Sequence, residues 1–234
     1  VTARLPVFPL GTVLFPGLVL PLHIFEERYR ALVRHLVDLP DGAPREFGVV
    51  AIRAGWEVAP KGPDGRPLPD GGELTLHDVG CTAELRQVTE LPDGGFDIVT
   101  VGRRRFRVGE VDRAGAPYLT AEVEWLPEPA TPDEAAGLLA ARVLAVFRQY
   151  LGLVRADPEE ISEQLPEDPT VLSHLVAATA ALTVADRQRL LAIDDTAARL
   201  RAELRLLNRE AALLRQVRAV PVPLGELASP PTPN

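Results

Sequence analysis

The first half of the chain alternates apolar and polar residues in short runs, the period of half-buried strands. Leu5–Leu10 is the first such run, and Phe15-Pro16-Gly17 places Pro and Gly for a tight turn before Leu18–Leu22 resumes. Phe25, Tyr29, Leu32, Val33 and Leu36 then recur at helical spacing, with Glu26 and Glu27 in a first turn, where the helix dipole favours negative charge. Further strands are predicted at Phe47–Arg53, Glu73–Asp78, Gly80–Glu90, Phe96–Val101, Arg105–Val111 and Tyr118–Trp125. Leu91-Pro92-Asp93-Gly94-Gly95 reads as a hairpin between two alternating runs. The Pro- and Gly-rich stretch Pro60–Gly72 predicts a mobile surface loop.

Near Pro127–Pro132 the period lengthens to that of a helix. Thr131-Pro132-Asp133-Glu134 is a capping box with Pro at the first helical position, and Leu139, Val143, Val146, Phe147 and Tyr150 form the apolar stripe behind it. Asp157-Pro158-Glu159-Glu160 repeats the start signal for a short helix. Asp168-Pro169 opens another through about Ala181, and Thr183-Val184-Ala185-Asp186 opens the next. Leu200, Leu204, Leu207, Ala211 and Leu214 form a heptad seam on a last helix over Asp194–Val217, which packs either on the preceding helices or on a second copy. The expected fold class is α+β: a mostly antiparallel β-unit with one inserted helix over 1–126, a helical bundle over 127–220 ending in a long helix, and a disordered tail over 221–234.

Composition narrows the function more than the fold. A chain of 234 residues with 46% hydrophobic and 25% charged residues buries a real core, as one large domain or a small pair. The net charge of −8 is spread over both halves, so no basic domain awaits a polyanion or an anionic membrane surface. The single cysteine, Cys81, cannot pair within the chain and is expected as a small buried hydrophobe. The apolar run Val13–Phe25 is broken by Pro16, Gly17, Pro21 and His23, so no membrane span or signal peptide is expected and the cytoplasm is the default compartment.

Candidate chemistry is sparse. With Lys61 the only lysine, in a Pro/Gly-rich stretch, neither a phosphate-binding Gly-rich loop nor a Ser-Lys dyad can be assembled. Ser162 and Ser173 precede the tail on or beside helices, so no exposed nucleophile elbow is expected. His23, His35, His77 and His174 lack ligand spacing, so no metal or other cofactor and no catalytic residue is assigned; His23 and His174 are expected to be structural, and His23 with nearby carboxylates motivates only a weak small-molecule alternative. In the one basic cluster, alternation puts Arg103, Arg105 and Arg107 on one strand face and Arg104 and Phe106 on the other. Such a face either contacts phosphates or is a solvated exterior whose arginines pair with strand carboxylates such as Glu110 or Glu122.

The segment Leu5-Pro6-Val7-Phe8-Pro9-Leu10, with Val13-Leu14-Phe15-Pro16-Gly17 and Pro21-Leu22-His23-Ile24-Phe25-Glu26 followed by Arg28-Tyr29, closely resembles the start of the Lon protease N-terminal domain family. Phe47-Gly48-Val49-Val50 and Val101–Val108 resemble its later barrel strands, and the likeness extends over about residues 4–217. The resemblance implies a PUA-like β-barrel joined to a helical subdomain that recognises unfolded or tagged polypeptides and helps hold a hexamer together. It implies no catalytic residues in this region; Phe8, Phe15 and Phe25 would pack in the core, and Pro9, Pro16 and Gly17 would fix turns. An ATPase and a Ser-Lys peptidase follow in those enzymes, and neither is found in this sequence. The expectation is therefore a stand-alone, non-catalytic binding module, an adaptor or regulator of proteolysis, monomeric or weakly oligomeric, partnered by unfolded or tagged polypeptides and by a separate protease or chaperone. Phe15, Leu18, Leu20 and Tyr29 are the candidate peptide-binding residues. The alternative is an RNA-binding PUA-like module that uses Arg103, Arg105 and Arg107.

Overall fold

A computed structural model describes residues 2–55, 74–128, 134–154 and 165–219. The strands are β1 (Thr2–Leu10), β2 (Val19–Ile24), β3 (Glu46–Ala54), β4 (Thr75–Leu76), β5 (Val79–Glu90), β6 (Phe96–Asp112) and β7 (Leu119–Trp125). The helices are α1 (Glu27–Val37), between β2 and β3, then α2 (Glu134–Val154), α3 (Pro169–Thr179), α4 (Val184–Leu191) and α5 (Thr196–Ala219). The fold is α+β, as expected. The Pro60–Gly72 loop, the Thr131 capping box, the Asp157–Glu160 helix start and the tail from Pro221 lie outside the described residues.

Strand order β1-β7-β6-β5-β3 closes on itself through a parallel β1–β3 pairing, the remaining pairs being antiparallel, so the strands form a small barrel. Inside it Leu5, Val7, Val50, Phe106, Ala121 and Val123 pack together. A Cβ on Gly48 or on Gly80 would come within 2.6 Å of the Phe106 ring, so two glycines make the room this aromatic occupies. The two strands expected at Phe96–Val101 and Arg105–Val111 are one continuous strand, because β6 holds different partners along its length. Its first half runs between β2 and β5, and its second half between β5 and β7, with register shifts absorbing the bend.

Gly102 marks the bend. Its N–H donates to the Leu18 carbonyl and its own carbonyl accepts from Gly17 N–H, each at 2.8 Å, which clamps the β1–β2 turn onto β6. A Cβ here would lie 2.1 Å from the Phe15 carbonyl oxygen. Gly102→Ala is therefore expected to destabilise the fold by about 1–3 kcal/mol, since backbone on both sides must move. A urea denaturation midpoint equal to that of the parent would contradict this.

Helix α1 lays Tyr29, Leu32, Val33 and Leu36 on Phe8, Leu10, Phe47, Val49, Phe96 and Ile98. The bundle packs on the barrel through a second core, in which Val13, Phe15, Ala51 and Val79 join Val143, Phe147, Tyr150, Leu172, Val176, Leu200 and Leu207. Leu200, Leu207 and Ala211 are buried and Leu204 and Leu214 pack beside them, so the seam of α5 is covered from within the chain, mainly by α2. By length and hydropathy α2 does reach what a membrane span needs, contrary to the sequence expectation. In the bundle its Ala136, Ala140, Val143, Phe147, Tyr150 and Leu151 are buried.

Candidate functional site

Two places in the fold concentrate unusual side chains: the junction of barrel and bundle, and the outer face of β2.

At the junction, strand alternation does turn Arg105 away from the barrel interior, but the surface it reaches is covered by the bundle. Arg105 is fully buried; it donates to the carbonyls of Leu191 (2.8 Å) and Ile193 (2.9 Å) and pairs with Glu128. Arg199, equally buried, lies 3.5 Å from the same carboxylate and donates to Ser173 Oγ at 2.8 Å. His174 Nε2 stands 3.4 Å from Glu128 on a third side. Burial pushes the Glu128 carboxyl up, but His174 and the charges of Arg105 and Arg199 outweigh it and hold the group at about 2. Burial pushes the His174 imidazole down and so favours its neutral form. This corrects the reading for Arg105, which is interior and belongs to neither a phosphate face nor a solvated exterior, whereas Arg103 is exposed and paired with the strand carboxylate of Glu84 at 2.9 Å, as a solvated exterior would have it. Ser173 is buried in the same network. Cys81 is fully buried, and burial raises its thiol far above the usual range.

On β2 the predicted residues part company. Phe15 is buried in the core shared with the bundle, and Tyr29 is buried with its ring stacked on Phe8 at 3.9 Å, in the lining of a small pocket shared with His23 and Phe25. Leu18 and Leu20 are half-buried against the core under α1. The pairing of β2 with β6 shows why. Leu20, Leu22 and Ile24 lie opposite Thr100, Ile98 and Phe96 on the face toward α1, whereas Val19, Pro21 and His23 lie opposite Val101, Val99 and Asp97 on the outer face. His23 Nδ1 meets the Asp97 carboxylate at 2.8 Å across that face.

Phe25, expected in the core, is 52% exposed. The helix starts only at Glu27 and the chain is still extended at Glu26, so Phe25 keeps strand parity and its ring lies beside His23 at 6.2 Å. The outer face thus carries Val19 (62% exposed), Pro21, Val99, Val101 and Phe25. One rim is the Arg103–Glu84–Arg86 cluster, and the His23–Asp97 pair lies between Pro21 and Phe25. A signal for this face was present: Leu18, Leu20, Leu22 and Ile24 set the inner parity and leave Val19, Pro21, His23 and Phe25 outside.

A family model described as the ATP-dependent protease La (LON) substrate-binding domain matches residues 4–209. Lon protease 2 of Herpetosiphon aurantiacus is 30% identical over 217 residues, covering 91% of this chain and 24% of that protein. Lon protease of Escherichia coli is 26% identical over 215 residues, covering 91% and 25%. The chain therefore spans about a quarter of the length of the curated relatives it matches. Among solved structures, the N-terminal domain of Mycobacterium avium complex Lon protease superposes with a TM-score of 0.62 at 22% identity, covering 90% of this chain and 98% of that one. A Lon N-terminal domain protein from Xanthomonas campestris gives 0.59 at 24%, covering 86% and 97%. Both share the fold.

Proposed function

This chain belongs to the LON substrate-binding domain family, and on that premise we propose that it holds apolar segments of other polypeptides against the outer face of β2 and β6, as a non-catalytic recognition module acting in the cytoplasm. The observation that carries this reading is the group Val19, Pro21 and Phe25 backed by Val99 and Val101, an apolar surface crossed by the His23–Asp97 pair and standing on a sheet whose other face is packed by α1. An apolar side chain leaving water for this surface gains about 25 cal/mol per Å² buried. Leu18 and Leu20 support the strand from beneath. The fixed nucleophiles fit recognition without turnover, since Ser173 is tied into the junction network and the Cys81 thiol is sealed in the core. An adaptor role with a separate protease or chaperone follows the same logic. RNA binding is the weaker reading, because the buried Arg105 and the paired Arg103 leave Arg107 alone of the three.

Titration of a fluorescently labelled, permanently unfolded polypeptide tests the proposal. Val19→Asp is expected to weaken binding about tenfold by placing a charge on the apolar surface at a residue that is 62% exposed. Leu138→Asp, at an exposed position of α2, should leave it unchanged. Equal effects of the two variants, or no binding by the parent, would remove the proposal.

A further inference from the structure

Strand β2 is paired along one edge. It lies beside the first half of β6 and beside no other described strand, so its second edge carries no ladder. The register fixes which groups stand there. Leu18 lies opposite Gly102, one step before the Val19–Val101 pair, and the Leu18 carbonyl accepts from Gly102 N–H at 2.8 Å. Leu18, Leu20, Leu22 and Ile24 therefore turn their backbone N–H and C=O groups toward β6. The far end of β6 agrees: Leu91 N–H donates to the Gly95 carbonyl at 2.9 Å, which sends Asp97, Val99 and Val101 to β5 and leaves Phe96, Ile98 and Thr100 for β2. Val19, Pro21 and His23 thus aim their backbone groups away from β6. All three are exposed, and neither the N–H groups of Val19 and His23 nor the carbonyls of Val19, Pro21 and His23 have a partner among the described residues.

Pro21 suits that edge and disfavours one occupant. Proline has no N–H, so it is accommodated in a strand only where the ladder needs no donor. If two copies of β2 paired antiparallel in the register that uses all three outward residues, Val19 would meet His23 and the two Pro21 residues would stand carbonyl to carbonyl with no donor between them. A foreign chain with any other residue at that point offers its N–H to the Pro21 carbonyl. The net charge of −8 on each copy adds to the preference for a foreign chain.

A small cavity lies on the same edge. About 60 Å³ in volume, it is lined by Leu22 and Ile24 from the inner face of β2, by His23 and Phe25 from the outer parity, and by Phe8 and Tyr29. Contact with both faces of β2 and with no residue of β6 places it around the unpaired edge. It holds about four to six water-sized groups, the bulk of one aliphatic side chain.

We propose that β2 takes up an extended polypeptide segment as an added β-strand, held by backbone hydrogen bonds to Val19, Pro21 and His23. Its side chains alternate between the outer face at Val19 and Phe25 and the cavity at Leu22 and Tyr29. The inference rests on the reading of β2 as the polypeptide-binding surface and adds how the segment is held. Main-chain bonds supply the affinity, so the substrate class is any segment that can extend, lacks proline at alternate positions and offers one aliphatic residue to the cavity. Unfolded chains expose such segments, whereas folded ones keep them paired.

The test uses the whole chain and the peptide acetyl-Lys-Val-Thr-Val-Thr-Val-Lys-amide, with two N-methylated forms, one blocked at its valine amides and one at its threonine amides. In an added strand only every second N–H faces β2. One methylated form should therefore bind about tenfold weaker or worse than the parent peptide, and the other within about twofold of it. Hydrogen exchange followed by NMR should show the Val19 and His23 amides slowed about tenfold or more by the parent peptide. Equal effects of the two methylated forms, or unprotected Val19 and His23 amides in the peptide-bound protein, would overturn strand addition. If Val19→Asp still weakened binding in that case, the outer-face reading would stand without it. No binding of the parent peptide would also overturn strand addition, and the labelled unfolded polypeptide would then decide the outer-face reading by itself. Protection of the same two amides in concentrated protein without peptide would overturn it in favour of a second copy.

Discussion

Glu128→Gln is expected to cost about 3–5 kcal/mol of folding free energy, the effect of leaving buried charges without their counter-ion. The carboxylate of Glu128 stands between two fully buried guanidinium groups, Arg105 from the barrel and Arg199 from the bundle, so the neutral amide orphans both. Arg105 keeps its bonds to the carbonyls of Leu191 and Ile193 and Arg199 keeps Ser173, which limits the loss but does not neutralise either charge. In urea the midpoint should fall by about 1–3 M for a slope of a few kcal/mol per M. A fall corresponding to less than about 1 kcal/mol would show that solvent screens the cluster. The pH dependence gives an independent reading. Glu128 is held at about 2, below its ordinary 4.5, so its contribution is complete above 4.5 and lost as pH falls from there toward 2. His174, lowered by burial, contributes stability present above 6.5 and lost as pH falls below it. The parent should therefore lose stability in two acid stages, and Glu128→Gln should keep the His174 stage while flattening the one below pH 4.5.

That cluster marks where reading from the sequence stops. Local signals were legible because their physics is local: Asp168 accepts from Thr170 N–H and Val171 N–H at 2.9 Å and opens α3, and Thr183 accepts from Asp186 N–H and opens α4. The alternating strands and the heptad seam of α5 follow from period, which leaves open whether this chain or a second copy covers that seam. Arg105 shows the limit. Alternation places it on the outer side of the barrel, and nothing near residue 105 announces that Leu191, Ile193 and Arg199 will cover that side. Glu128 sits in a Pro-rich connection that reads as a boundary, yet it joins the two halves. On β2 parity decides which side chains reach solvent: Leu18 and Leu20, candidate peptide-binding residues, are half-buried, because a strand with α1 on one face turns its leucines inward and leaves Val19 and Pro21 outside. The bond that Gln188 Nε2 donates to the Val79 carbonyl requires β5 and α4 to meet across 109 residues of sequence, a pairing that no local pattern encodes.

Glu203→Leu is expected to stabilise the protein by about 1–4 kcal/mol at pH 8, the range seen when buried ionisable groups give way to apolar ones. Glu203 is 1% exposed on α5, and neither carboxylate oxygen has a hydrogen-bond partner among the described residues. Burial raises its carboxyl well above the ordinary value, and the nearby Arg199 only partly offsets this. The folded state therefore keeps the proton over a range above pH 4.5 in which the unfolded chain has released it. Folding binds more protons than unfolding in that window, so stability from this group is complete below 4.5 and declines as pH rises toward the folded value. Leucine removes both the unsatisfied oxygens and the titration, and Arg199 is left with Glu128, Ser173 and the Ile193 carbonyl as partners. The advantage of the variant should accordingly grow between pH 5 and pH 8. Urea midpoints measured at both ends of that interval decide the matter: a pH-independent difference would mean that Glu203 ionises alike in both states, and a loss at both would mean that its carboxyl supports Arg199 as a charged partner. The slope bears on the junction as a whole. With the Glu203 carboxyl shifted toward its neutral form, the half-buried Glu128 is the carboxylate that answers two buried arginines, which is why the substitution that relieves α5 is tolerated there and would not be at residue 128.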